Sequence, residues 1–195
     1  ECTLDRQVDD LLTILRTKNP QTYEHSVRVA GISRDLGELL RLNPFQTKTL
    51  STAALLHDVG KITILTHILV KADGLTQSEY YQVKRHARMG QVLLNRFHGF
   101  DEIAQAVRYH HERWDGEGYP DGIAGAEIPL ISRVIHLSDS MDTMLHPRTY
   151  KPAYPMEWVL GELNRCRGSQ FDPHLVDVAA EWIEGEILTP MRRAA

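Results

Sequence analysis

The sequence predicts an all-α fold on three observations. Apolar residues recur three and four apart along most of the chain, helix-start signatures stand in front of those runs, and no segment alternates apolar with polar as a half-buried strand would. Residues 4–16 form an amphipathic helix that either packs on the rest of the chain or continues a helix that precedes it. Asn19-Pro20 reads as an N-cap with proline at the first helical position, where its missing N–H costs nothing. Val29, Ile32, Leu36, Leu39 and Leu40 carry that helix to about Leu42. Asn43-Pro44 repeats the signature ahead of Leu50, Ala53, Ala54, Leu55 and Leu56, with a stop near Gly60. Thr76-Gln77-Ser78-Glu79 is a capping box and opens one long helix through Val83, Ala87, Gly90, Leu94 and Phe97. Helices over 101–112, 129–145, 155–167 and 173–187 complete a bundle of seven or more. Between Arg113 and Ile128, the turn formers Gly116, Gly118, Pro120, Gly122 and Gly125 predict a long loop, and long loops inside compact domains are often functional. Gly116 and Gly118 are expected at positive φ. The expected division is an N-terminal helix over 1–18 and one domain over 19–195.

At 195 residues, 42% hydrophobic and 25% charged, the chain has the length and composition of one globular domain with a real core. No apolar run approaches the roughly 18 residues of a membrane span and no charged-then-apolar leader opens it, so a cytoplasmic location is expected. The first residue, Glu1, suggests a domain taken from a longer chain. Twenty-two basic against 26 acidic residues, a net charge of −4, exclude a general DNA or RNA binder that works through a broad basic face. Cys2 and Cys166, far apart and without a CxxC, exclude a disulfide scaffold and a thiolate zinc site. What stands out is ten histidines.

His25 precedes Val29, Ile32 and Leu36 by four, seven and eleven residues, on the apolar stripe of its helix. His86 lies three after Val83 and four before Gly90; Asp139 follows Ile135 by four, and Asp142 comes about a turn later. His57-Asp58 ends the apolar run Ala53 to Leu56, and His110-His111 ends the helix that enters the glycine-rich loop. A single inward histidine is ordinarily a satisfied core residue. Inward His and Asp on four or five helices at once would bury polar groups at a few kcal/mol each unless one cluster paired them. A metal cluster does so, with His25, His57, Asp58, His86, His110, His111 and Asp139 as ligands. Seven donors exceed the four of a tetrahedral ion, which suggests two divalent ions sharing Asp58. Nitrogen and oxygen donors without sulfur suit iron or manganese and leave zinc, nickel, cobalt and magnesium open. Neighbours in a helix point about 100° apart, so either His110 and His111 bind different ions or the helix distorts there. His67, His98, His136, His146 and His174 lack such company and are expected to be surface or structural.

His57-Asp58-Val59-Gly60-Lys61, together with the run His110-His111-Glu112-Arg113-Trp114-Asp115-Gly116-Glu117-Gly118-Tyr119-Pro120, resembles the HD-GYP branch of the HD metal-dependent phosphohydrolases. The HD pair is common and the longer run is specific. The resemblance extends over about 19–178 and takes in His25-Ser26-Val27-Arg28-Val29, Ile68 to Lys71, Leu75-Thr76, Ile128-Pro129-Leu130 and Phe171-Asp172-Pro173. It implies an HD-domain helical bundle with a GYP loop that hydrolyses cyclic di-GMP to pGpG, in some members onward to GMP, with metal ligands on the seven residues already named. It further implies catalytic roles for Asp58 and Lys61, phosphate contacts from Lys61, Arg148 and Lys151, and positions near the substrate for Asp142 and Tyr119. A GGDEF-domain protein docking on the GYP loop and a homodimer are the partners it suggests. Glu112 and Asp115 are expected to order the loop through local hydrogen bonds, with Arg113 paired to an acid. Gln21 stands one turn before His25 where three-metal members carry glutamate, which favours two ions; Leu65-Thr66 and Thr149 also depart from the family pattern and bear on substrate preference. Two other readings compete: a low-turnover cyclic di-GMP receptor or docking module, and a phosphodiesterase for another cyclic dinucleotide such as the mixed GMP-AMP messenger.

Overall fold

Local capping chemistry sets where the helices begin. The computed structural model describes residues 2–69, 71, 74–147 and 153–193, with side chains over 4–187 of these. In chain order it contains α1 (Cys2–Lys18), α2 (Pro20–Leu39), α3 (Pro44–Leu56), α4 (Thr66–Leu69), α5 (Gln77–Lys84), α6 (His86–Leu94), α7 (Asp101–Tyr109), α8 (Leu130–Leu145), α9 (Met156–Arg165) and α10 (Pro173–Arg193). Short 3-10 turns lie at Val59–Thr63 and Gly125–Glu127. Among the described residues there is no strand, only an isolated bridge between Arg167 and Phe171. Asn19 Oδ1 accepts from Thr22 N–H at 3.0 Å. Asn43 with Gln46, and Thr76 with Glu79, form reciprocal capping boxes that satisfy otherwise orphaned amides.

α2 is the central element, packed against α3 and α8 and flanked by α1 and α10. Its Val29, Ile32 and Leu36 share one core with Leu50 and Leu56 of α3 and with Ile135, Leu137 and Met141 of α8. Each such residue contributes about 1.5–3 kcal/mol on burial. α1 packs on the domain through Val8, Leu11 and Leu15. No helix among the described residues is long and apolar enough to cross a membrane.

Three helix ends differ from expectation because of imidazoles. The single helix expected from Thr76 to Phe97 is two, because Arg85 turns tightly (ψ −17°) and His86 Nδ1–H donates to the Val83 carbonyl at 2.6 Å. An unbroken helix would offer that carbonyl to the amide of Ala87. α3 stops at Leu56 short of Gly60, and α7 at Tyr109 short of Glu112, for the same reason. His57 Nδ1–H donates to Ala54 O at 2.7 Å and His110 Nδ1–H to Val107 O at 2.6 Å. Last-turn carbonyls lack helical partners, and here a ring N–H supplies them. Gly60 then lets the 3-10 turn run against α6: a Cβ there would lie 2.0 Å from the His86 carbonyl oxygen and 2.7 Å from Gly90 N.

Candidate metal centre

The three carbonyl-bound imidazoles are thereby fixed as one tautomer. A carbonyl can only accept, so the proton sits on Nδ1 and each Nε2 presents a lone pair to the interior. α3, α6 and α7 aim these lone pairs at one point: ring centroids lie 5.1 Å apart for His57 and His110, and 5.2 Å for His86 and His110. The His110-His111 question resolves through the end of α7, since both rings leave the turn on the same side with centroids 4.0 Å apart. His25 of α2 closes the cluster, 5.4 Å from His57, and Asp139 of α8 lies 2.9 Å from His25 Nε2. All seven sequence-predicted ligands thus meet in one place. His25, His57, Asp58, His86 and His110 are buried, His111 and Asp139 half-buried.

The donor set fits divalent metal. His86, His110 and His111 form one group, and His25, His57 and Asp58 another, with ligand atoms in each group within 4.8 Å of one another. His57 Nε2 and Asp58 Oδ1 are buried without a hydrogen-bond partner, a state costing about 1–3 kcal/mol or more apiece unless something satisfies them. His86 Nε2 and His110 Nε2 face each other at 3.3 Å with both lone pairs inward. Burial lowers His86 to about 4 and pushes His110 well below the ordinary imidazole value, so a proton does not settle that contact. A bound cation resolves all three conflicts. Glutamine at position 21 leaves a neutral amide one turn before His25.

Carboxylates and cations dominate the other side. Burial opposes the charge on Asp58, yet Lys61 Nζ, 2.6 Å from Oδ2, and the neighbouring imidazoles hold it ionised. Burial also works against a charge on His25, but Asp139 and Asp142 on its two ring nitrogens raise it to about 9. A cavity of about 520 Å³ opens beside these groups, lined among others by Gln21, His25, Arg28, Asp58, Lys61 and Lys71. Asp142, read as a residue near the substrate, sits behind His25, bonded to its Nδ1 at 2.6 Å. Arg148 and Lys151, the two expected phosphate contacts, lie outside the described residues.

The glycine-rich loop forms the remaining wall. Glu112 is buried and accepts from the backbone N–H of Asp121 at 2.7 Å and of Gly122 at 3.1 Å, while Arg113 pairs with Asp115, as the sequence suggested. Gly116 adopts φ 81°, but Gly118 is not at positive φ; it is there for space, since a Cβ would lie 2.4 Å from Arg113 N. Tyr119 stacks on His111 at 4.7 Å, with Lys84 Nζ 5.0 Å from its ring. Trp114 and Asp115 donate their N–H groups to the carbonyls of Gln170 and Ser169.

Two supporting residues, Arg28 and Gln170, escaped the sequence reading, and His136 and His146, expected to be surface or structural, support the site as well. Arg28 and His146 both reach Asp142. His136, read as surface or structural, is buried and donates Nδ1–H to the His110 carbonyl at 2.9 Å, while Gln170 reaches its Nε2 at 3.3 Å. Only Arg28, next to His25 within His25-Ser26-Val27-Arg28-Val29, carried any local signal.

Residues 11–175 match the HD domain family. Over 158 residues the chain is 42% identical to the cyclic di-GMP phosphodiesterase response regulator RpfG of Xanthomonas campestris, covering 79% of this chain and 40% of that protein. Over 160 residues it is 34% identical to the 3'3'-cGAMP-specific phosphodiesterase 3 of Vibrio cholerae, covering 82% of this chain and 35% of that one. The crystal structure of a cyclic GMP-AMP-specific phosphodiesterase of V. cholerae, V-cGAP3, has the same fold, with a TM-score of 0.69 and 22% identity over 91% of this chain and 48% of its own. The chain therefore spans less than half the length of these relatives. The run from His110 to Pro120 resembles the HD-GYP branch, and by the match over 11–175 the chain belongs to the HD-domain family.

Proposed function

We propose that this chain hydrolyses cyclic di-GMP to pGpG at a centre of two divalent ions, iron or manganese. One observation carries the reading: buried His57 Nε2 and Asp58 Oδ1 without partners, beside a cavity edged by Arg28, Lys61 and Lys71. The reaction adds water across a P–O3′ bond, the hydroxyl going to phosphorus and the proton to the leaving 3′ oxygen. When bound, the ions supply a water acidic enough to attack at neutral pH and positive charge against the phosphate.

The chain's own residues do the rest. His25, His57, Asp58, His86, His110, His111 and Asp139 hold the ions. Lys61 keeps Asp58 ionised and, from the cavity edge, takes a phosphate oxygen, where a preformed cation acts without reorganising. Arg148 and Lys151 are further phosphate contacts, and Tyr119 walls the substrate on the loop side. Gly118-Tyr119-Pro120 offers a GGDEF-domain partner an ordered edge, and a cytoplasmic messenger as substrate sets the location in the cytoplasm.

A second reading, hydrolysis of the mixed cyclic GMP-AMP dinucleotide, draws on the 34% identity to a cGAMP-specific relative. Anaerobic purification with elemental analysis, followed by chromatography of products from both dinucleotides, tests the two together. Release of pGpG with two ions per chain supports the first, and faster turnover of the mixed dinucleotide supports the second. Tight binding without product under every metal overturns both and leaves a receptor.

A further inference from the structure

Asp142 holds a position that a substrate contact could not occupy. It is 1% exposed. Its Oδ2 accepts from His25 Nδ1 at 2.6 Å and from Arg28 Nη2 at 3.1 Å; its Oδ1 accepts from Arg28 Nε at 2.7 Å and has His146 Nδ1 at 2.8 Å. A carboxylate has about four lone-pair directions, and four nitrogens from three side chains already approach these two oxygens. Nothing is left to receive a ribose hydroxyl or a base. What Asp142 does touch is His25 Nδ1, whereas His57, His86 and His110 lean on main-chain carbonyls.

We infer that Asp142, locked by Arg28, is a positioning residue for His25: it keeps the proton on Nδ1, orients the ring and leaves Nε2 beside Asp139 for metal. The inference rests on the two-ion reading above. A carboxylate behind a metal-bound histidine raises the basicity of the ring and fixes its tautomer, and removing such a partner typically lowers metal affinity 10–100-fold. Arg28 supplies the rigid fork. Its guanidinium spans both oxygens in a geometry that lysine cannot reproduce, and it reaches across from α2 to α8.

The test uses the whole chain, titrated anaerobically with Mn²⁺ against a chromophoric chelator, with cyclic di-GMP kinetics run separately at saturating Mn²⁺. Asp142→Asn is expected to weaken one of two Mn²⁺ affinities by about 10–100-fold while KM stays within about twofold. Arg28→Ala weakens the same affinity, and Arg28→Lys restores it only in part. Circular dichroism melting identifies any variant that does not fold, and if Asp142→Asn fails to fold the Arg28 pair decides. Wild-type Mn²⁺ affinity in Asp142→Asn with KM raised tenfold overturns the inference in favour of substrate contact, and no change in either quantity overturns it outright. If the wild-type chain takes up no metal, the two-ion reading fails first and this role falls with it.

Discussion

The two sides of the centre are built by different means. On the α6–α7 side, His86 and His110 are anchored by main-chain carbonyls three residues earlier, and burial keeps both rings neutral. On the α2–α8 side, His25 is anchored by side chains, between Asp139 and Asp142, and is raised to about 9 despite burial. Main-chain anchors come with the helix ends themselves and cannot be removed without moving the backbone. Side-chain anchors can be removed one residue at a time. The first side is therefore rigid and strictly a lone-pair donor, and the second is where substitution can tune affinity without unfolding the bundle.

Asp58 joins the two, since its carboxylate lies 3.3 Å from His86 Nε2 and 3.5 Å from His57 Nε2. Asp58→Ala is expected to abolish both metal binding and hydrolysis, read by elemental analysis and pGpG release; full metal content with turnover would remove the centre from the reaction. His110→Ala is expected to be narrower, lowering metal content from about two ions to about one, with the ion on the His25 side retained. Equal loss from both sides in His110→Ala would break the contrast between them.

The next effect falls on the frame. Gly60→Ala puts a methyl group 2.0 Å from the His86 carbonyl oxygen, and the turn and α6 must separate. Overpacking of this kind costs about 1–3 kcal/mol, which at this chain length lowers Tm by about 2–4 °C per kcal/mol. Metal affinity on the α6 side should fall with it, because His86 moves. An unchanged Tm would mean that the turn, and the main-chain anchoring it serves, is softer than the structure indicates.

These contrasts explain what could be read in advance. Helix starts were legible because Asn19, Asn43 and Thr76 cap within three residues of themselves. Three helix ends were not: those at Leu56, Lys84 and Tyr109 are set by histidines of the proposed centre, and periodicity alone would run the helices on. The seven proposed ligands were legible because inward polar residues on several helices are costly to bury unless one shared partner satisfies them. Their supports were hidden by distance along the chain. Arg28 meets Asp142 across 114 residues, His136 meets His110 across 26 and Gln170 meets His136 across 34, and no local pattern marks such pairs. Tyr119 stacked on His111 shows the same limit, since the GYP run was evident but the face it turns to the centre was not.

Glu112 anchors the loop by its side chain to main-chain amides, a mixture of the two designs. Glu112→Gln keeps one acceptor oxygen where Asp121 and Gly122 now use two, and the loss of a charged acceptor costs about 1–3 kcal/mol. The amides of Asp121 and Gly122 should exchange faster with solvent deuterium while those of α2 do not. Uniform acceleration across both would show that the loop is not held separately from the bundle.

The smallest effect separates the two kinds of anchor on one carboxylate. Glu79 accepts from Lys71 Nζ at 2.7 and 2.9 Å and from the Thr76 N–H at 2.7 Å. Lys71 first, then the Thr76 amide, lower it from 4.5 to about 2. A carboxyl group depressed in the folded state adds stability that is fully present above its unfolded value of 4.5 and is lost as the pH falls through about 2. Carbon NMR of the Glu79 carboxyl should therefore titrate with a midpoint near 2. In Lys71→Ala the midpoint should climb toward 4.5 yet stop short of it, because the hydrogen bonds from Thr76 remain. If it stays near 2 instead, the backbone alone holds this carboxylate, and side-chain anchoring is the weaker of the two devices even where it is most exposed to test.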